Sequence, residues 1–241
     1  MRASEAPRIV EFDSVTSTQD VARLLMEPRP CPDLVIAKTQ TAGRGRCGRN
    51  WCSPIGGMYA TLIVPAVDLL SARAALAVAD TLHRNGVDAE IKWPNDLIVD
   101  GRKIAGLLIE AVGGQALVGI GINLAVSPIS EATCVCEHVN EVPSAKTLAA
   151  QIWHAWPHAA AEAILSDYRQ RCVTLGRRVR VACGGGSGRV LCGVAVNVNE
   201  TGALLVTQRE GDPSPVTVHC GDCIHLEPAS GPAVASRDGS A

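Results

Sequence analysis

Residues 89–124 read AEIKWPNDLIVDGRKIAGLLIEAVGGQALVGIGINL. Four apolar runs stand in this stretch: Ala89 to Trp93, Leu97 to Val99, Ile104 to Ala111, and Ala116 to Leu124. Asp100-Gly101 separates the second from the third, and Gly113-Gly114 the third from the fourth. Such pairs tolerate the positive φ that a tight hairpin turn demands. Strands joined by turns this short run antiparallel, because a parallel neighbour needs a long crossover. The stretch therefore predicts a largely antiparallel sheet with helices on its other face, an α+β fold and not a doubly wound one.

Upstream, Arg8 to Phe12, Leu34 to Thr39 and Met58 to Val64 read as further strands. Ser71 to Arg84 is an amphipathic helix with Ala74, Ala75, Leu76, Val78, Ala79 and Leu82 on one broad face, ended by Asn85-Gly86. The cluster Asp13 to Asp20 precedes Val21, Ala22, Leu24 and Leu25, which have helical spacing. A Ser or Thr here caps that helix, with Asp20 near its positive end. Capping uses one of these polar side chains and leaves the surplus free to face a ligand. Downstream, Thr147 to Leu175 is helical with a break at Pro157. After Gly176 short alternating strands, from Val179 to Leu226, suggest a small β-barrel of about 50 residues. From Pro228 the composition is that of a disordered tail.

Net charge is -2 and aromatic residues make up 3% of the chain. A dedicated binder of nucleic acid or of anionic membrane would be basic overall. No apolar run is long enough to span a bilayer, and residues 1–14 lack the apolar segment of a secretory signal. The expected location is the cytoplasm. The ten cysteines are then expected to be reduced thiols. Cys134-x-Cys136 and Cys220-x-x-Cys223 resemble halves of a zinc site, but neither has a properly spaced second pair, so no metal site is assigned.

Two segments point to chemistry. The first is QTAGRGRCGRNW, residues 40–51, which sets Gly43, Gly45 and Gly48 among Arg44, Arg46 and Arg49. Glycine permits close backbone approach, and arginine offers a planar, permanent cation suited to carboxylate and phosphate. The glycine spacing matches a dinucleotide-binding fingerprint, yet the following Trp51 to Gly57 cannot open the helix that fingerprint requires. A flexible cationic loop closing over an anion and a solvated basic surface loop are the remaining readings. The second segment separates them. Lys92-Trp93-Pro94-Asn95-Asp96 ends a strand at a polar corner, and the hairpin after it returns Lys103 towards that corner. Lys92, Asn95, Asp96 and Lys103 can thus converge on one volume, which favours a polyanion site.

These residues resemble the biotin–protein ligase family. The resemblance is carried by Ser17-Thr18-Gln19, Gln40 to Trp51, Lys92 to Asp96, Gly101 to Glu110, and Gly119 to Asn123, in the family's order, within a region of residues 8 to 227. Two positions depart from it: Cys47, where the family commonly has arginine, and Gln19, where asparagine is common. The resemblance implies a mostly antiparallel mixed sheet with helices packed on one face, followed by a small C-terminal SH3-like β-barrel. It divides the chain into a catalytic domain over 1–175, the barrel over 176–228 and a tail over 229–241. The family's larger members carry an N-terminal DNA-binding domain. This chain begins directly at the catalytic region, which implies a monofunctional ligase.

The implied reaction joins biotin to ATP as biotinyl-5′-AMP and passes the biotinyl group to a lysine of a biotin carboxyl carrier protein, a subunit of acetyl-CoA carboxylase or a related carboxylase. Mg2+ accompanies ATP. No nucleic acid or membrane takes part, and a homodimer is left open. By resemblance, Ser17, Thr18, Gln19 and Gln40 bind the polar end of biotin, while Gly106 and Gly119 let strands approach its ring. Gly43, Arg44, Gly45 and Arg46 close over the ligand, and Arg46 grips the phosphate. Trp51 covers the adenine side, Arg49 and Lys92 serve the nucleotide, and Asn123 contacts the adenosine half. Lys103 binds the carboxylate or α-phosphate. Asn95 and Asp96 lie near the phosphates, Asp96 meeting either magnesium or the proton of the incoming amine. A lipoate or octanoate ligase of the same fold and an inactive biotin sensor are the alternatives. An intact Lys103 and Arg46 argue against the sensor.

Overall fold

The computed structural model describes residues 6–27, 30–183, 190–208 and 214–226. The expected tail falls outside them. Elements follow in the order β1 (Ile9–Val15), α1 (Thr18–Leu25), β2 (Leu34–Gln40), β3 (Gly57–Pro65), α2 (Leu70–Arg84), β4 (Glu90–Lys92), β5 (Asp96–Val99), β6 (Arg102–Val112), β7 (Gln115–Asn123), α3 (Ala145–His154) and α4 (Ala161–Arg171). Then come β8 (Arg178–Ala182), β9 (Val190–Val198), β10 (Leu204–Thr207), β11 (Val216–Val218) and β12 (Asp222–His225). Among the described residues no helix is long and apolar enough to cross a membrane.

The first seven strands form one sheet in the order β1-β2-β3-β7-β6-β5-β4. Both hairpin signals work as read: φ is 49° and 75° at Asp100 and Gly101, and 53° and 79° at Gly113 and Gly114. These turns fold β5 on β6 and β6 on β7 antiparallel. β1 alone runs parallel to its neighbour β2, because α1 forms the crossover between them.

Side-chain alternation gives the sheet two apolar faces. Leu34, Leu62 and Val118 are in register across β2, β3 and β7 and join the main core with α2 and α3. Alanines at 74, 75, 77 and 79 of α2 are buried there, so the helix lies close to the sheet. Val35, Ile63 and Leu117 belong to a separate cluster with Ala22 and Met26. The expected helical layer on one face thus holds for the longer helices, whereas α1 lies on the other face. Its narrow apolar stripe covers only part of that face and leaves the remainder open.

The last five strands form an antiparallel sheet, ordered β11-β10-β9-β8-β12. Specific bonds tie it to the β4–β5 turn and to the segment from α4 to Thr174. The Trp93 indole N–H donates to the Gly202 carbonyl at 3.0 Å, and Arg169 Nε donates to the Val198 carbonyl at 2.9 Å. The Thr174 hydroxyl accepts from the Trp93 backbone N–H at 3.0 Å and meets His225 Nε2 at 3.0 Å. All ten cysteines are free thiols.

Candidate active site

The open part of the α1 face is floored by glycine. Gly106 of β6 and Gly121 of β7 are directly paired, as are Leu108 and Gly119, and alternation points all four to the same side. Above them lies a cavity of about 130 Å³. The Trp51 indole rests on the floor: a Cβ added at Gly121 would lie 2.4 Å from it, and one at Gly106 would lie 2.8 Å from it. A Cβ at Gly119 would meet the Gln19 amide at 3.1 Å. Glycine is needed here for close approach, not for backbone conformation.

One end of the cavity is polar and uncharged. Ser17 takes the N-cap position of α1, but its side chain makes no capping bond; the expected cap is not formed, and the residue lines the cavity. The Thr18 backbone N–H donates to Gln40 Oε1 at 2.9 Å, and Thr61 Oγ1 donates to Thr18 Oγ1 at 2.9 Å. Gln40 Nε2 donates to Ser53 Oγ at 2.8 Å, and that hydroxyl donates to the Trp51 carbonyl at 3.1 Å. Gln19 Nε2 donates to the Leu108 carbonyl at 3.0 Å. Two buried polar atoms of the lining find no partner among the described residues: Gln19 Oε1, an acceptor, and Trp51 Nε1, a donor. An unmade bond at a buried group costs about 1–3 kcal/mol, so the pair suits a ligand that offers both a donor and an acceptor.

The other end is cationic. Lys103 Nζ pairs with Asp96 at 2.6 Å and stands 5.3 Å from the centre of the Trp51 ring. Arg46 donates to Asn95 Oδ1 at 3.0 Å. Asn95 is itself held by its Nδ2, which donates to the Leu107 carbonyl at 2.8 Å. Arg44 pairs with Asp20 at 2.9 Å and with Glu110 at 3.1 Å, and Arg49 pairs with Asp222 at 2.5 Å. The arginine loop, read as flexible, is here a folded hairpin: Gly45 N–H donates to the Arg49 carbonyl at 2.7 Å and Trp51 N–H to the Gly43 carbonyl at 2.9 Å. Cys47, at φ 54°, takes the left-handed position at its tip. Beyond the loop, the Tyr59 hydroxyl donates to the Pro54 carbonyl at 2.7 Å. Burial, with Cys52 adding to it, pushes that phenol up to about 12.

Of the residues singled out from the sequence, Ser17, Thr18, Gln19, Gln40, Arg44, Gly45, Arg46, Arg49, Trp51, Asn95, Lys103 and Gly106 line this cavity. Asp96 touches it through Lys103. Three are placed otherwise. Gly43 sits at the loop's base, where a Cβ would be 2.4 Å from the Trp51 carbonyl; its role is to let the chain cross itself. Lys92 lies one strand out, opposite Asp96, and its charge acts on Cys223 and His225. Asn123 is buried, and its Nδ2 donates to the Thr133 carbonyl at 2.9 Å. It braces the segment whose Thr133 N–H donates to the Lys103 carbonyl at 2.9 Å. Trp51 lies on the Gly106 floor that was expected to receive the ring of biotin. Glu110 and Ser53 were missed as partners. Alternation from Gly106 would have placed Glu110 on the cavity face; Ser53 gave no comparable signal.

Comparison with known proteins bears on this site. Residues 10–127 match the model of the Biotin/lipoate A/B protein ligase family. The chain is 31% identical over 215 residues to the biotin–[acetyl-CoA-carboxylase] ligase of Mycobacterium tuberculosis, covering 80% of this chain and 79% of that one. The biotin protein ligase of Aquifex aeolicus, solved in complex with biotin and ATP, superposes with a TM-score of 0.74 at 25% identity, over 90% of this chain and 97% of that one. The biotin protein ligase of Leishmania major, in complex with biotinyl-5-AMP, gives 0.64 at 26% identity, over 92% and 99%.

Proposed function

Because the chain belongs to the biotin/lipoate A/B protein ligase family, among its biotin ligases, we propose that it activates biotin with ATP and transfers the biotinyl group to a lysine of a biotin carboxyl carrier protein. The observation that carries this reading is the cavity's division into two ends. The orphaned Gln19 Oε1 and Trp51 Nε1 match the N–H and carbonyl of a cyclic urea. The cationic end matches a carboxylate and a phosphate, and the glycine floor with the indole admits the thin apolar body between them.

In the first step a biotin carboxylate oxygen attacks the α-phosphorus of ATP. A C–O–P anhydride forms, and the bond to pyrophosphate breaks with its electron pair on the leaving oxygen. Lys103 neutralises the carboxylate and the α-phosphate, and Arg46 holds the phosphate away from water. In the second step a neutral lysine amine attacks the acyl carbon, AMP leaves with the electron pair of the C–O bond, and the nitrogen sheds its extra proton. Positioning and charge stabilisation suffice for both steps, so no protein nucleophile is required. Magnesium arrives with ATP. It ordinarily keeps one or two carboxylates besides phosphate oxygens and water, and Asp96, paired with Lys103, is the carboxylate that would meet it. Residues 1–175 form the catalytic domain, 176–228 an SH3-like module, and the protein works in the cytoplasm.

The test is transfer of labelled biotin to a carrier domain in the presence of ATP and magnesium, with lipoate in parallel. Biotin-dependent transfer is expected and lipoate transfer is not. Absence of biotin-dependent ATP–pyrophosphate exchange would end this reading.

A further inference from the structure

Beside the first cavity lies a second, of about 220 Å³, between the Trp93-Pro94-Asn95 corner, α2, α4 and the five-stranded sheet. The two share Arg46, Asn95, Leu107 and Leu108, so the Arg46–Asn95 hydrogen bond stands at the boundary between them. Trp93 and Tyr168 of its lining are buried, while Thr201 and His219 are exposed. The second cavity therefore runs from a mouth framed by the C-terminal sheet to the wall of the first.

We propose that this second cavity is the channel through which the acceptor lysine reaches the activated acyl group, its methylene arm against the apolar walls and its amine delivered uncharged at Arg46 and Asn95. The proposal rests on the ligase reading above and adds the route of the second substrate. Three observations support it. The walls are largely apolar: Leu69, Trp93, Pro94, Tyr168 and Val198, which suits a four-carbon chain. No Asp or Glu lines the cavity among the described residues, and a cation sits at its inner end. An ammonium there would be desolvated, unpaired and beside a like charge, and each of these favours loss of its proton. The unprotonated amine is the form that attacks. The proton passes to solvent as the lysine enters, the C–N bond then forms as the acyl C–O bond breaks, and the departing phosphate takes up the second proton.

The other candidate occupant is the pyrophosphate released in the first step. It would need several free donors, but apart from Arg46 and His219 the polar side chains of the lining are engaged. Ser71 donates to the Pro94 carbonyl at 3.0 Å, Asn95 Nδ2 to the Leu107 carbonyl at 2.8 Å, and Thr201 to Asn199 Oδ1 at 2.8 Å.

Thr201→Trp in the full chain narrows the mouth without touching the first cavity, and Thr201→Ser keeps the hydroxyl as a control. Biotin-dependent ATP–pyrophosphate exchange and capture of the adenylate by hydroxylamine are expected to stay within about twofold of the parent. Transfer to saturating carrier domain is expected to fall by about tenfold or more. The serine variant is expected to behave as the parent. Unchanged transfer at saturating carrier, or a rise in the carrier's KM alone, would overturn the channel. Exchange that falls with a raised KM for pyrophosphate would assign the cavity to the leaving group. If Thr201→Trp melts early, His219→Trp is read by the same three assays. Failure of the ligase reading is distinguishable, because the parent chain would then show no biotin-dependent exchange.

Discussion

Gly121 and Lys103 define what single residues do in this cavity. A methyl group at position 121 would lie 2.4 Å from the Trp51 indole, far inside van der Waals contact, so the ring must move. Gly121→Ala should cost about 1–3 kcal/mol by overpacking. It should also raise KM for biotin more than KM for ATP, because the indole rests on the glycine floor that admits the ring of biotin; equal effects on the two substrates would argue against that placement. Lys103 is a different case, being about one-third exposed and paired with one carboxylate. A single pair that solvent still reaches contributes about 1 kcal/mol, so Lys103→Ala should change the melting temperature little while abolishing biotin-dependent pyrophosphate exchange. Near-normal exchange would remove it from the chemistry. Asn123→Ala removes a buried amide from the Thr133 carbonyl. It should cost about 1–3 kcal/mol and lower exchange in part through the displaced Lys103 backbone.

At the scale of elements, the arginine loop is latched by ion pairs that reach α1, β6 and β12. Arg46→Gly keeps the latches at Arg44 and Arg49 but removes the cation from the phosphate end. Biotinyl-AMP should then escape and label proteins without selection, measured by blotting a mixture of non-substrate proteins; full retention of the adenylate would give the loop another task. What could be read of these elements follows from how local their causes are. Asp100-Gly101 and Gly113-Gly114 set their hairpins within the turn itself, so the strand order from β5 to β7 was legible. α1 was legible as a helix, but not its side of the sheet, since that depends on Ala22 and Met26 meeting Val35, Ile63 and Leu117. Lys92 and Asn123 escaped prediction for the same reason. Their neighbours, His225 and Thr133, arrive from segments distant in the chain or from an irregular loop that no periodicity announces.

For the molecule as a whole, the joint between the two sheets contains a titrating group. Burial, with the charges of Lys92 and Arg177 adding to it, pushes His225 down to about 4 from an ordinary value of 6.5. The folded protein thus keeps this imidazole neutral where the unfolded chain would protonate it. The stability it preserves is fully present above pH 6.5 and is lost as pH falls from there towards 4. With the group only half-buried, the loss is on the order of 1–2 kcal/mol. Chemical denaturation at pH 7.5 and pH 5 should show it, and His225→Gln should flatten the difference. The same joint reaches the Trp93 indole, whose N–H is satisfied by the Gly202 carbonyl. A truncated chain ending at Leu175 would retain every side chain that lines the first cavity, yet this indole and the Arg49 guanidinium would lose their acceptors across the joint. Grafting or dissecting the enzyme at the composition boundary should therefore yield a fragment that holds its vitamin loosely, its reaction chamber intact in inventory but no longer held in shape from outside.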